Sequence, residues 1–465
     1  MALATALLAL AAAFALRPQA APGTALRDFE AAYAAGAARN AEDDPYSRQL
    51  WRSERTIPGV TATRDELLPF VGPPFGLPLW GAFARLDYAR ATLVWSLVLG
   101  LCFALLTLGS LKLAGPAGPF EALAALAIGA SFAPLTSGLA LGQVAVLACA
   151  AAVATQFALA RRNALAAAVT AFASALQPNL AIALAARLPE RRATLAFALA
   201  GALAVGCSAA ALGSAGDLAR YASLLREHAG AESGLAIQTT VAAVARDFGA
   251  SAAGANIVAG VTGFAALGGL LALFATRRYA GLERFAVTSA ALPLALPFAH
   301  EHDFTLALFP ALLCARRCTG APWIAASVAA TVLAVNWLGL AVNLSALTQS
   351  LCLATAAALA FAALGPRELG LRRFAPLCVV PLVAFAGAIA ASHTLPVWPD
   401  ALPEAFHADR GLSLAQVWRA EQLASGLGKP DAVWSALRAC SLLGSCVLAY
   451  AAARGLHSAQ RRPTA

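Results

Sequence analysis

The chain has 465 residues, of which 60% are hydrophobic and only 12% are charged. A soluble domain typically has about 25% charged residues, so this composition excludes a string of soluble domains. The net charge of +9 would suit a nucleic-acid-binding protein. The arginines, however, lie in pairs at the ends of apolar runs, which is the pattern that orients membrane helices. The chain is therefore predicted to be an all-α, polytopic membrane protein that binds a lipid bilayer and no nucleic acid.

The first apolar run, Ala2–Leu16, is short for a membrane span. As a helix it would cover about 22 Å, against a hydrocarbon core of about 30 Å. No basic residue precedes it, so we interpret it as a first spanning helix. A cleaved signal peptide is the alternative.

Further apolar runs follow in chain order, and each is long enough to cross the membrane as a helix. They are Ala91–Leu113, Phe120–Thr136, Leu139–Ala160, Ala193–Leu212, Asn256–Thr276, Ala321–Ala341, Ser345–Leu364, Phe374–Ala391 and Trp434–Ala453. Together with the first helix they predict about ten spans. The basic clusters between them are assigned to the cytoplasm. Residues 17–90, 213–255 and 392–433 then lie on the outer face, and the first of these loops is expected to contain amphipathic helices.

Two apolar segments conflict with a simple crossing, because each has arginines at both ends. Ala164–Ala186 is interrupted by Gln177-Pro178-Asn179, and proline breaks a helix and disfavours helical geometry in the residue before it. Phe285–Ala315 is interrupted by the tetrad His300-Glu301-His302-Asp303. We predict that both are re-entrant helical hairpins whose polar tips point toward the outer face. For the second segment, one tilted span with a short extramembrane piece is the alternative.

Several polar groups are thereby predicted to meet at the outer face. They are Asp28, Glu30, Tyr33, Asp43, Asp44 and Tyr46 of the first loop, Gln143 at a helix start, Gln177 and Asn179 of the first tip, and the tetrad His300, Glu301, His302 and Asp303. Ionisable groups at membrane depth are costly, so they are candidates for function. We expect one shared cavity.

Individual residues keep more than one interpretation. Asp28 is either a chemical group or a cap for the free N–H groups of a helix. The tetrad either contacts a substrate or its phosphate, or binds a divalent metal through imidazole and carboxylate ligands, or pairs only with itself.

The order of several motifs resembles glycosyltransferase family 87 of the GT-C superfamily, from about Asp28 to Leu313. The motifs are RDFEAAYAAGAARNAEDDPY, PPFGLPLWGAFARLDYARATLVW, LALGQVAVL, ASALQPNLAIALAARLPERR and LPFAHEHDFTLALFPALL. The enzymes resembled are polyprenol-phosphate-mannose-dependent α-mannosyltransferases of bacterial envelopes. The resemblance implies a catalytic module in residues 1–340, followed by C-terminal membrane helices with an outer loop in residues 341–465.

The resemblance also implies roles for single residues. Asp28 matches the catalytic aspartate and would act as general base. Tyr33, Tyr46 and Gln143 match other family positions. Gln177-Pro178 stands where the family commonly has Lys-Pro, and a neutral glutamine cannot offset phosphate charge as a lysine would. Arg27, His300 or His302 could compensate for it.

The expected activity is transfer of a sugar from a polyprenyl-phosphate donor to a glycan or glycolipid acceptor, without a metal or another cofactor. The expected location is the bacterial inner membrane, with the active site on the extracytoplasmic side. A secondary transporter, a lipid-linked sugar flippase and a non-catalytic GT-C homologue are the alternatives. Broken helices that meet at membrane depth also occur in transporters. Here, however, the breaks lie toward one face.

Overall fold

The computed structural model describes residues 26–58, 60, 68–213, 215–276, 279–335, 346–392, 411–424, 427–428 and 432–459. These residues form helices and connecting turns, with no strand among them. The all-α prediction is therefore confirmed for the described chain. The predicted first helix, Ala2–Leu16, lies outside the described residues.

The described α-helices are numbered in chain order. They are α1 (Arg27–Asn40), α2 (Leu50–Glu54), α3 (Leu77–Phe83), α4 (Tyr88–Ala114), α5 (Pro119–Ser131), α6 (Ala133–Leu141), α7 (Val144–Ala160), α8 (Ala164–Ser174), α9 (Pro178–Ala181), α10 (Arg191–Leu212), α11 (Ala215–Glu232), α12 (Val241–Asp247), α13 (Ala252–Thr276), α14 (Gly281–Ala291), α15 (Leu308–Arg317), α16 (Gly320–Leu333), α17 (Ala346–Leu364), α18 (Val380–Ser392), α19 (Leu414–Ala424) and α20 (Ala432–Ala459). Shorter 3₁₀ segments connect some of them: Pro74–Gly76, Ile182–Arg187, Leu292–Leu294, Glu301–Ala307 and Arg367–Val379.

Four of these helices are long and apolar enough to cross a membrane: α4, α10, α13 and α20. The pair α5 and α6 would add a fifth span, but it is bent by 67° at Phe132. The prediction of about ten spans is not confirmed, because several apolar runs form shorter or broken helices in the described chain. The predicted span Leu139–Ala160, for example, contains Gly142 with a φ of 75°. Glycine adopts this left-handed conformation readily, so the helix ends there and α7 starts anew at Val144.

Two of the long helices connect the same two ends of the molecule. In α4, the indole of Trp95 donates to the carbonyl of Gly142, while the carbonyls of Leu113 and Ala114 at the other end accept from Arg317. In α20, Trp434 donates to Ala236 near one end. The Ala453 carbonyl, near the other end, accepts from Tyr279. The end that contains Gly142 and Ala236 is called the cavity end below, and the opposite one the basic end.

The basic end contains ion pairs between elements that are distant in sequence. Arg317 Nη1 lies 2.9 Å from Glu283 Oε1, which joins the end of α15 to the start of α14. Arg187 lies 2.7 Å from Glu190 and also donates to Gln156 near the end of α7. Arginine at helix ends on one side of a bundle is the arrangement that the positive-inside rule associates with the cytoplasm.

In both interrupted segments the helix breaks near the proline or polar residues at which the sequence predicts an interruption. Gln177 has non-helical dihedral angles, φ −123° and ψ 85°, and separates α8 from α9. The second break runs from the end of α14 to the 3₁₀ segment at Glu301. A proline at 178 cannot donate the backbone hydrogen bond that would continue α8, so the chain turns at that point.

Helix α1 lies against α3 at the cavity end. Phe29 packs among Trp80, Phe83 and Trp95, and the rings of Phe29 and Trp95 are stacked with centroids 5.5 Å apart. A Cβ atom at Gly36 would overlap the backbone carbonyl of Trp80, so only glycine permits this close approach. This packing fixes the first turn of α1, and with it the position of Asp28.

Candidate functional site

One cavity of about 440 Å³ lies at the cavity end. It lies between α1, the extended segment at residues 68–73, the break at Gln177, helix α11 and the start of the 3₁₀ segment Glu301–Ala307. The residues predicted from sequence that line it are Arg27, Asp28, Gln143, Gln177, Asn179, His300, Glu301 and His302. Side chains from widely separated parts of the chain therefore share one hollow, as expected from the predicted tips.

The carboxylate of Asp28 is held by the amide of Gln143. Gln143 Nε2 donates to Asp28 Oδ2. The capping interpretation of Asp28 does not fit, because the residue at the N-cap of α1 is Leu26 and no side chain caps the helix. Asp28 thus lies in the first turn with one oxygen oriented by a neighbouring side chain.

Asp303 lies behind the cavity wall and joins the two breaks. Its Oδ1 accepts from Gln177 Nε2 at 3.1 Å, and its Oδ2 accepts from the backbone N–H of His300 at 2.9 Å. The side chain of Gln177 is therefore directed at an acidic partner that is itself attached to the tetrad.

The tetrad does not have a ready metal site. One potential ligand atom each from His300, His302 and Asp303 lies within 4.8 Å of the others, a spacing compatible with a single cation. Both oxygens of Asp303, however, accept hydrogen bonds from Gln177 and His300, and His300 Nε2 lies 3.0 Å from Glu232. A metal would have to displace these contacts, so pairing within the protein accounts for the geometry better.

Glu301 is buried, and neither of its carboxylate oxygens has a hydrogen-bond partner among the described residues. Burial raises the pKa of the Glu301 carboxyl well above its ordinary value. An unpaired carboxylate out of water is unfavourable, so burial favours the neutral form of Glu301. We assign no charge-compensating role and no proton transfer to it.

Glu232, at the end of α11, is the most highly coordinated carboxylate of the cavity. Its Oε1 accepts from Trp418 Nε1 at 2.8 Å and lies 3.0 Å from His228 Nε2. Its Oε2 accepts from Gln238 Nε2 at 2.6 Å and lies 3.0 Å from His300 Nε2. Four nitrogen atoms thus surround one buried carboxylate.

These contacts change the protonation of the group. Burial alone would raise the pKa of Glu232, but His228 and His300 together hold it well below its ordinary value. Burial likewise opposes protonation of His300, but Glu232, Asp303 and Asp28 together outweigh burial, and the pKa of His300 is raised. Burial lowers the pKa of His302. The contacts therefore favour the ionised form of Glu232 and the cationic form of His300, while burial favours the neutral form of His302.

Tyr33 and Tyr46 do not line the cavity. The hydroxyl of Tyr33 donates to the Leu86 carbonyl at 2.7 Å, and that of Tyr46 donates to Gly72 at 2.9 Å. Tyr221 similarly donates to Val71 at 3.0 Å. Burial raises the pKa of Tyr46 and of Tyr221, so both remain protonated donors. Tyr46 and Tyr221 together fix the extended wall that contains Val71 and Gly72.

The sequence did not reveal His228 or Glu232 as site residues, and it gave Trp418 no individual role within the outer loop expected to shape the acceptor site. His228 and Glu232 have the i, i+4 spacing that places two side chains on one helix face, which is a weak signal within an outer loop. Trp418 belongs to α19, almost two hundred residues further along the chain. Nothing in its local sequence indicates which carboxylate it contacts.

Comparison with protein families identifies the segment that forms most of this cavity. The sequence model of glycosyltransferase family 87 matches residues 70–297. Over this segment the chain belongs to glycosyltransferase family 87. No curated protein and no solved structure matches the chain.

The match to family 87 indicates a glycosyltransferase, and the long apolar helices indicate a membrane protein. The matched segment includes Gln143, Gln177, His228 and Glu232. It starts after Asp28 and ends before His300. The cavity of this glycosyltransferase therefore combines residues from inside and outside the matched segment.

Proposed function

We propose that the protein transfers a sugar, mannose or another hexose or pentose, from a polyprenyl-phosphate donor to a glycan or glycolipid of the bacterial envelope. The observation that supports this most directly is the single cavity that Asp28 shares with Gln143, Gln177 and His300. The lipid of the donor would lie in the bilayer. Its phosphate and sugar would enter the cavity, and no metal or other cofactor would be needed.

In the proposed reaction Asp28 is the general base. It takes the proton of the acceptor hydroxyl while the hydroxyl oxygen attacks the anomeric carbon of the sugar. The bond between that carbon and the phosphate oxygen breaks, and the polyprenyl phosphate leaves with its negative charge. Gln143 donates to Oδ2 and so leaves Oδ1 to receive the proton.

The location follows from the two ends of the molecule. We infer that the basic end faces the cytoplasm of a bacterial inner membrane and that the cavity opens on the extracytoplasmic side. The contact Glu283–Arg317 joins residues that flank the second interrupted segment, and Gln156–Arg187 joins the end of the first segment to α7, the helix that precedes it. They support the interpretation that both segments are re-entrant. Non-helical backbone at membrane depth is tolerated where it lines such a cavity.

The central experiment replaces the base without changing its shape. Asp28→Asn should reduce transfer from polyprenyl phosphate mannose, or from its glucose or pentose analogues, by at least about 100-fold. General-base catalysis typically contributes 10²–10⁴-fold. Transfer is measured in purified membranes against acceptor lipids of the same envelope. The matched control is Asp43→Asn in the same loop, because Asp43 faces Arg52 at 3.9 Å and does not line the cavity.

Full activity of Asp28→Asn would exclude Asp28 as the base. Concentrative uptake of a solute by the purified protein in vesicles would instead support a transporter. Donor binding without any turnover in the unchanged protein would support the non-catalytic homologue.

A further inference from the structure

The wall around Gln177 lacks the cation that a phosphate requires. Gln177 is neutral, and the group it contacts, Asp303, is acidic. An anionic donor approaching Gln177 would meet an acidic group and no cationic side chain at position 177. A charge-compensating group must therefore come from elsewhere in the cavity.

Arg27 and His300 both line the cavity, and His300 is the one attached to the same Asp303 as Gln177. The backbone N–H of His300 donates to Asp303 Oδ2, while Gln177 donates to Oδ1. The imidazole of His300 lines the cavity, and its side chain is 21% exposed. It is thus the neighbour of Gln177 that a ligand can still reach.

Glu232 determines how this imidazole is held. Its Oε2 lies 3.0 Å from His300 Nε2, and the carboxylate is fixed in turn by His228, Gln238 and Trp418. A carboxylate at this distance favours the imidazolium form and fixes the orientation of the ring. His300 Nδ1 is then the nitrogen that remains for a ligand.

We propose that Glu232 is a positioning residue that holds His300 as the cationic partner of the donor phosphate, in place of a cation at position 177. This inference rests on the proposed function for the identity of the donor. It concerns the binding of its phosphate and not the transfer step. It also explains how the chain can accommodate a neutral residue at position 177.

The experiment measures binding of a short-chain polyprenyl monophosphate to the detergent-solubilised full-length protein, next to the KM and kcat for the sugar donor. His300→Gln and the isosteric Glu232→Gln should each weaken phosphate binding and raise the donor KM at least about tenfold, which corresponds to about 1.4 kcal/mol. The kcat at saturating donor should change much less. Binding of the uncharged polyprenol should be the same in all variants.

A second pair of variants tests the replacement itself. Gln177→Lys in the His300→Gln background should restore phosphate binding to within a few-fold of the unchanged protein, because it returns a cation to the same wall. A purely structural role of His300 would not be rescued in this way. Unchanged phosphate binding in His300→Gln, or failure of lysine to restore it in a protein that folds normally, would overturn the inference.

These results are separable from those on catalysis. If the unchanged protein binds the monophosphate with this dependence but transfers no sugar, the proposed transferase activity fails while the role of Glu232 and His300 stands. If sugar is transferred but phosphate binding is unchanged in the Glu232 and His300 variants, the transferase activity stands and the proposed role of these two residues fails.

Discussion

The indole of Trp418 is one of four groups that stabilise the ionised Glu232, and it is the only one of them on α19. A hydrogen bond to a charged group is worth about 1.5–3 kcal/mol, so its loss should loosen the carboxylate that holds His300. Trp418→Phe keeps most of the ring and removes only this donor. We expect a donor KM several-fold higher, with kcat little changed.

The control for this variant is Trp323→Phe. The indole of Trp323 is also buried and donates to a backbone carbonyl, that of Ala315, at 3.2 Å. It lies far from the cavity wall, near the basic end. A similar rise in donor KM in both variants would mean that the effect is general destabilisation.

The protonation of His300 predicts a pH dependence of donor binding. Burial opposes its charge, but Glu232, Asp303 and Asp28 together outweigh burial, so the pKa is raised. The imidazolium is present below that pKa and lost above it. The groups facing it are Glu232, Asp28, Asp303 and the neighbouring imidazole of His302. Since a sugar phosphodiester does not titrate near neutrality, its KM should rise as the pH increases through the pKa of His300. A KM that does not change with pH while His300 titrates would contradict this assignment.

The cavity residues that could be predicted from the sequence include those that interrupt an apolar run. Gln177, Asn179 and the tetrad were identified because polar residues and proline interrupt apolar runs. Glu232 could not be identified in the same way, because a glutamate in a polar loop is unremarkable until the partners that surround it are known. Three of those partners come from other parts of the chain or from beyond the end of α11.

At the scale of elements, the contact between α1 and α3 determines the position of Asp28, the proposed base. Gly36→Ala should displace α1, lower the thermal unfolding temperature and reduce transfer, because an added Cβ would overlap the Trp80 carbonyl. Gly201→Ala in α10 is the matched control, since nothing lies within 4 Å of its added Cβ. Alanine is favoured over glycine in a helix by about 1 kcal/mol, so the control should be neutral or slightly stabilised. Equal unfolding temperatures for Gly36→Ala and the unchanged protein would contradict the proposed packing.

The elements themselves were predicted unevenly. Hydropathy and length located α4, α10, α13 and α20 within a few residues, because a long apolar helix has few alternatives. The same criteria assigned single spans to two runs that are not single helices. One is bent at Phe132, and the other is divided at Gly142, where one helix ends and the next begins. These bends depend on local backbone geometry and on tertiary contacts, such as that between Gly142 and Trp95, which periodicity does not report.

For the whole molecule, the two ends predict which sites a membrane-impermeant thiol reagent can reach. In a background without native cysteines, Ser251→Cys should react in intact cells, because it is exposed just before α13 on the side of the cavity. Arg192→Cys, exposed at the start of α10 next to the basic end, should react only after the membrane is permeabilised. The opposite pattern would invert the proposed orientation of the protein.

The hydrogen bond from Trp418 to Glu232 has a consequence for how this protein can be divided or recombined. The family-matched stretch covers residues 70–297. A fragment limited to it would therefore lack Asp28, His300 and Trp418, whose indole donates to Glu232. A truncation that removes α19 should therefore loosen Glu232 and impair the cavity. Exchange of α19 between homologues should change how firmly Glu232 is held while leaving the family-matched stretch unaltered.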